Sequence, residues 1–417
     1  MKYVKSLECI NCGKEYEAKA DRYLCPDCGE KGLLDVKYDY KKIKENWSKE
    51  ELKTNQKLNI WRYRPLLPIK DGSQKPPLRV GWTPLYESKN LAKELGLENV
   101  YIKDDGLNPT GSLKDRASAM AAVKASEAGA KTVACSSTGN AASSLAGNIA
   151  SMPGDMRAVI FVPERAPEGK LTQLLIYGAE VVSVQGSYEE AFYLSEKAID
   201  KWDWYNRNAA INPYMVEGKK TAAIEMAEQL NWEMPDWVVF SVGDGCTIAG
   251  AWKGLYDLKQ IGFIDKIPKL LGVQAEGCAP ITEAFRSGKD LEVTSEDTLA
   301  DSIAVGKPRN YKKAINGIKS SNGKMVNVND DQILDMMKVL GKTAGVFGEP
   351  AGVAGLAGLK KMVQKGEISA NETVVNVITG NGLKDVKNAI RAAGNPYKVE
   401  ADLDKLTEIF EEKNLIN

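Results

Sequence analysis

In the run Asn108-Pro109-Thr110-Gly111-Ser112-Leu113-Lys114-Asp115-Arg116, turn-forming residues lead straight into an alanine-rich segment that favours helix. Lys114 therefore stands at or just inside a helix start. The positive end of a helix dipole lies there, so an ammonium is disfavoured and a neutral amine nucleophile is promoted. A second constellation suits metal. Cys9-Ile-Asn-Cys12-Gly and Cys25-Pro-Asp-Cys28-Gly are two C-x-x-C-G turns twelve residues apart, a spacing that lets four thiolates surround one tetrahedral Zn²⁺. Two disulfides or a redox CxxC fit this pattern less well. The remaining cysteines stand singly, and Cys135 and Cys278 read as small buried hydrophobes.

The elements that position these groups follow from periodicity. Short apolar, β-branched runs recur at 99–102, 131–135, 157–162, 180–184, 237–240, 269–274 and 373–378, with helical stretches between them. Alternation of this kind predicts parallel sheets covered by helices, an α/β fold. The strands from 131 to 184 are expected to form a smaller domain, and the later strands, with the segment near 60–105, a larger one. Residues 35–58 read as a connecting turn or helix. Residues 61–84 carry five prolines and are expected to run over a surface.

Two strand-to-helix turns are rich in small residues, the setting in which free amides and a helix dipole converge on an anion. Ser241-Val-Gly243-Asp244-Gly245-Cys246-Thr247-Ile-Ala-Gly250 follows the strand at 237–240. Its G-x-G-x4-G spacing departs from the dinucleotide fingerprint, and no P-loop occurs. Taken alone it is as much a tight turn as a ligand site. Ser136-Ser137-Thr138-Gly139-Asn140-Ala141 is the second, and an N-capped helix start is part of its work.

Composition excludes several classes. Of 417 residues 43% are hydrophobic and 27% charged, and 56 Lys+Arg balance 56 Asp+Glu, so there is no electrostatic footprint for nucleic acid or an anionic membrane. Residues 1–50 alone hold eleven basic and ten acidic side chains, which makes the cysteine-rich segment a structural or interface module. No apolar run approaches the roughly 20 residues of a membrane span, and MKYVKSLECI lacks a signal-peptide stretch, so the expected compartment is the cytoplasm. Histidine is absent, which removes Ser-His-Asp, Cys-His and His-metal chemistry. Protons must pass through lysine, carboxylates, hydroxyls or a bound group.

In this order, Trp82-Thr83-Pro84-Leu85, the Lys114 run, the two turns and Thr379-Gly-Asn381-Gly-Leu-Lys-Asp385 resemble the pyridoxal-phosphate (PLP) enzymes of the tryptophan-synthase-β superfamily, fold type II. The wording around Lys114 is most similar to threonine synthases, whose pattern is close to NPTGSFKDR. Some of these also carry an N-terminal CxxC…CxxC element. The resemblance implies two doubly wound α/β domains with mainly parallel sheets plus a small zinc ribbon. It divides the chain into a ribbon (1–35), a linker and the first part of the large domain (36–125), a small domain (126–212) and the rest of the large domain (213–417). It also implies a homodimer acting on a small amino acid.

Residue by residue, the resemblance implies that Lys114 carries PLP as a Schiff base. Gly243, Asp244, Gly245, Cys246 and Thr247 would line its phosphate, with acidic Asp244 obliged to point away or contact another residue. Asn140 would bond its phenolic oxygen, and Ser137 and Thr138 the substrate carboxylate. Thr379 would face the pyridine nitrogen. A neutral hydroxyl leaves that nitrogen unprotonated, which disfavours transamination and leaves elimination and replacement. The implied reaction turns O-phospho-L-homoserine and water into L-threonine and phosphate by β,γ-elimination and replacement.

Two positions depart from the pattern. Asn212-Pro-Tyr-Met215-Val-Glu217-Gly-Lys219-Lys220-Thr221 is similar to NPxRxEGxKT, but Met215 stands where an arginine would hold the substrate phosphate. Lys219, Arg116 and Lys170 are candidate replacements. Asn381 stands where many relatives have histidine. Replacement of the phosphate of O-phosphoserine by sulfite therefore stays open, as does a serine/threonine dehydratase, suggested by Glu349-Pro-Ala-Gly352. A zinc-ribbon binding protein on an inactive scaffold is the non-enzyme alternative.

Overall fold

The computed structural model describes residues 1–164, 168–208 and 210–416. At the N-terminus β1 (Val4–Cys9), β2 (Glu15–Tyr16) and β3 (Leu34–Tyr38) form an antiparallel sheet in the order β2-β1-β3. The turns after β1 and before β3 bring the sulfur atoms of Cys9, Cys12, Cys25 and Cys28 within 4.8 Å of one another. Two short helices follow at Tyr40–Asn46 and Lys49–Thr54, the second opened by a Ser48/Glu51 capping box.

The proline-rich stretch after them does not all lie on a surface. A 3₁₀ helix, Ile60–Leu66, buries Ile60, Tyr63 and Leu66 completely in the main core. Arg62 makes this possible. Its guanidinium donates to the carbonyls of Leu52, Asn55 and Lys57 and to Glu228, tying the buried turn to the preceding segment, while the turn's own amides find the Val80 carbonyl (from Ile60) and the Asn59 side chain (from Trp61).

The next strands are β4 (Leu85–Glu87), β5 (Asn99–Asp104), β6 (Thr132–Ser136), β7 (Arg157–Pro163), β8 (Glu180–Val184), β9 (Tyr205–Asn206), β10 (Trp237–Ser241), β11 (Lys269–Ala275), β12 (Lys324–Val328) and β13 (Thr373–Ile378). Strands β6 to β9 make a parallel sheet in the order β8-β7-β6-β9. The others make a six-stranded sheet, β12-β11-β10-β13-β5-β4, parallel except at the β4–β5 edge. Central strands such as β10 are buried on both faces by helices, as their continuous apolar runs require. No helix among the described residues is long and apolar enough to cross a membrane.

The helix Lys114–Glu127 lies between the two sheets and is buried over nearly its whole length. Its alanines allow close neighbours. The helix Tyr214–Lys219 approaches until a side-chain carbon at Gly218 would strike the Arg116 carbonyl. Arg116 itself is fully buried and donates from Nε and one terminal nitrogen to Asp105 at 2.7 and 2.8 Å, and to Glu225 at 3.0 Å. Lys103, also fully buried, donates to Glu225 and, at 2.6 Å, to the Thr83 carbonyl. This settles one expectation negatively: Arg116 is spent on the interior and cannot reach an incoming phosphate.

Burial alone would raise the Glu225 carboxyl, but the Arg116 guanidinium and the Lys103 ammonium outweigh it and hold it at about 2. A group depressed from 4.5 contributes stability above pH 4.5 and loses it as the pH falls towards 2. Glu225→Gln removes one partner of a buried cluster and is expected to cost about 3–5 kcal/mol. A urea midpoint that stays at the wild-type value would refute this.

Candidate active site

Lys114 is the first residue of its helix, and no side chain caps it. The turn before it is pinned from both sides. Thr110 donates through its backbone amide and hydroxyl to Asp115, which also accepts from Asn148. The Leu113 amide donates to the Thr379 carbonyl at 2.8 Å, and the Asn381 amide to the Gly111 carbonyl at 2.9 Å. The lysine turn and the loop after β13 are thus laced together, which brings Lys114 and Thr379 into one wall.

That wall belongs to a cavity of about 410 Å³ between the two sheets. Lys114, Asn140, Gly243, Asp244, Gly245, Cys246, Thr247 and Thr379 all line it, and so do Ser137, Thr138 and Lys219. The eleven positions come from five separate stretches of chain. Glycine is required at 245, whose φ of +86° is left-handed and turns β10's exit directly into the helix Cys246–Gln260. The first-turn amides of that helix have no acceptors within it, and the residues that carry them line the cavity.

Asp244 does not turn its carboxylate on this cradle unanswered. Oδ1 accepts from the Arg309 amide at 2.7 Å and Oδ2 from the Cys246 thiol at 3.4 Å. Burial raises the Cys246 thiol to about 12, so it is neutral at physiological pH. Lys219 acts on both groups, opposing the burial that raises Asp244 and Cys246. It therefore belongs beside the glycine loop.

Lys114 is half-buried in the cavity wall, and desolvation by the surrounding protein, then the nearby Lys219 ammonium, push its amine down to about 8 against the pull of Glu349, with Arg207 adding to the depression. Asn140 donates to Glu349 at 2.6 Å, so a carboxylate stands inside the cavity beside the amide.

Met215 is fully buried in the main hydrophobic cluster and is absent from the cavity wall. The Lys170 side chain lies outside the described residues. Three basic residues escaped the sequence reasoning: Arg207, Lys307 and Arg309 all line the cavity. Arg207 follows a strand only two residues long, too short for any periodicity to mark it. Lys307 and Arg309 sit in an irregular stretch with no motif. Glu349 appears in the sequence only as part of a motif, with nothing to point it at Asn140.

Residues 77–380 match the family model described as pyridoxal-phosphate dependent enzyme. The chain is 41% identical over 407 residues to threonine synthase of Methanocaldococcus jannaschii, covering 97% of this chain and 99% of the relative. It is 39% identical to threonine synthase of Methanosarcina acetivorans, over 96% and 98% of the two chains. Among solved structures, threonine deaminase isoform 2 of Solanum lycopersicum superposes with a TM-score of 0.62 at 24% identity, over 75% of this chain and 87% of that one. Diaminopropionate ammonia lyase of Escherichia coli gives 0.65 at 18%, over 83% and 92%. These two likenesses establish the fold, a fold type II α/β architecture.

The cavity fits the family's cofactor: a depressed amine in its wall suits an aldehyde, and first-turn amides backed by Lys219 suit a phosphate. The chain belongs to the pyridoxal-phosphate dependent enzymes and, within them, to the threonine synthase family.

Proposed function

We propose that this protein converts O-phospho-L-homoserine and water to L-threonine and phosphate, with PLP held by Lys114. The observation that carries the reading is the extent of its likeness to the curated threonine synthases, which spans 97% of this chain and 99% of one relative. A bound PLP supplies an electron sink that makes the substrate's Cα–H acidic. The residues do the rest. Gly243, Gly245, Cys246 and Thr247 hold the cofactor phosphate with Lys219, while Asp244 shapes the loop through Arg309 and Cys246. Asn140, itself oriented by Glu349, faces the ring's phenolic oxygen, and the Thr379 hydroxyl its nitrogen. Ser137 and Thr138, at the free end of the helix Asn140–Ala150, take the substrate carboxylate. Lys114 Nζ removes the proton at Cα, and in a chain without histidine the same amine serves again at Cβ.

The four N-terminal cysteines hold structural zinc, and the protein works as a cytoplasmic homodimer with its domains divided at residues 35, 125 and 212. One observation favours a second reading. With Met215 in the core, the arginine of the family pattern has no counterpart at that position, and a site for O-phosphoserine and sulfite would need the anion held differently.

Purified holoprotein given O-phosphohomoserine is expected to release phosphate and form threonine in equal amounts, with Lys114→Ala slower by about 10³-fold or more. Phosphate release only from O-phosphoserine with sulfite would replace this reading with the second. Cofactor loading should speed up with pH through about 8, where the Lys114 amine loses its proton, and Lys219→Met should move that midpoint upward by removing a repelling charge. A midpoint near 10.5 would contradict the depressed amine. Chelation should remove about one zinc per chain and lower the melting temperature; protein grown in ample zinc that contains none would defeat the assignment.

A further inference from the structure

A threonine synthase of this kind must hold two phosphates at once, one on the cofactor and one on the substrate. The glycine loop and Lys219 answer for the first. Nothing assigned so far answers for the second, because Met215 is in the core and Arg116 is locked between Asp105 and Glu225.

Among the basic residues in the cavity wall, Arg207 is buried, with 1% of its surface exposed. It comes from the substrate side. Its backbone amide donates to the Ala134 carbonyl at 2.9 Å, and the Asn208 side chain next to it accepts from the Ser136 amide at 2.8 Å. The end of β9 is therefore tied to the turn that carries Ser137, Thr138 and Asn140.

The guanidinium is also held in place. Nε and one terminal nitrogen donate to Ser118 Oγ at 3.3 and 3.1 Å. Ser118 lies 2.7 Å from Ser144 Oγ, which in turn donates to the Ala141 carbonyl at 3.0 Å. Ser118 is four residues beyond Lys114 on the same helix, hence on the same face and about 5–6 Å along it. The distance suits a substrate whose amine end meets Lys114 and whose phosphate lies a few bonds away.

We propose that Arg207 clamps the substrate phosphate in place of the arginine that Met215 replaces, with Ser118 as its positioning residue. This rests on the threonine synthase reading. A planar guanidinium presents paired donors to phosphate oxygens, which an ammonium does not.

The test uses holoprotein and follows the cofactor absorbance while two ligands are added: the phosphonate isostere of O-phosphohomoserine, and L-homoserine, which has no anion at that end. Wild type is expected to prefer the phosphonate. Arg207→Met should weaken the phosphonate by about 30-fold or more and change homoserine by less than about threefold. Arg207→Lys, which keeps charge and bulk, should lose about tenfold on the phosphonate only, and it carries the test if the Met variant does not load cofactor. Ser118→Ala should weaken the phosphonate by less than Arg207→Lys does. Equal losses for both ligands would make Arg207 merely structural and overturn the proposal. Unchanged phosphonate affinity in both Arg207 variants would overturn it in favour of Lys307 or Arg309. A wild type with no preference for the phosphonate would instead sink the threonine synthase reading itself, and this inference with it.

Discussion

The buried charge cluster around Arg116 is the constraint on which the molecule turns. Arg116 sits two residues from Lys114, and its partners come from β5's exit (Asp105) and from the helix Thr221–Gln229 (Glu225), which also pairs with Lys103 of the strand itself. Four charged side chains with no access to water can coexist only in one arrangement, since any displaced partner would leave an uncompensated charge in a low dielectric. The register of the Lys114 helix is fixed by that requirement. Hydrophobic packing of its alanines would tolerate sliding, and electrostatic pairing does not.

A fixed helix start then allows the depressed amine. Desolvation first, and then the neighbouring Lys219 and Arg207 cations, keep Lys114 from holding its proton tightly, while Glu349 limits the effect. The same cations line a cavity meant for anions. Chemistry and recognition are therefore served by one charge distribution: what repels a proton from Lys114 attracts phosphate to its neighbourhood.

Much of this was legible in the sequence, for definite reasons. Lys114, the glycine loop and Thr379 were readable because turn residues, strand exits and helix starts have fixed local chemistry, and each of these groups lies at such a junction. The apolar runs at 180–184 and 373–378 mark β8 and β13 without adjustment. The three ribbon strands and β12 went unnoticed, being short or weakly patterned, and β12 carries Lys324 and Asn327 among its apolar residues. The expectation that 61–84 skirts a surface failed for its first part, because prolines restrict backbone form without dictating exposure and the Ile60 and Trp61 amides find partners in the Val80 carbonyl and Asn59. Arg207, Glu349 and the fate of Arg116 were out of reach: each depends on a partner more than 80 residues away.

The N-terminal module is not simply appended. Tyr38 donates to Glu217, Tyr214 to the Lys19 carbonyl at 2.7 Å, and the Asn206 amide to the Tyr23 hydroxyl at 3.1 Å. Lys313 reaches the Leu34 carbonyl and Asp35. All these partners lie between residues 206 and 313, so they are made long after the module itself. During synthesis the module must wait for residues 206–313 before its aromatic side chains reach these partners. Its four thiols can gather locally in the meantime, and that gives a small, early-folding unit time to keep its shape until the surface it joins exists.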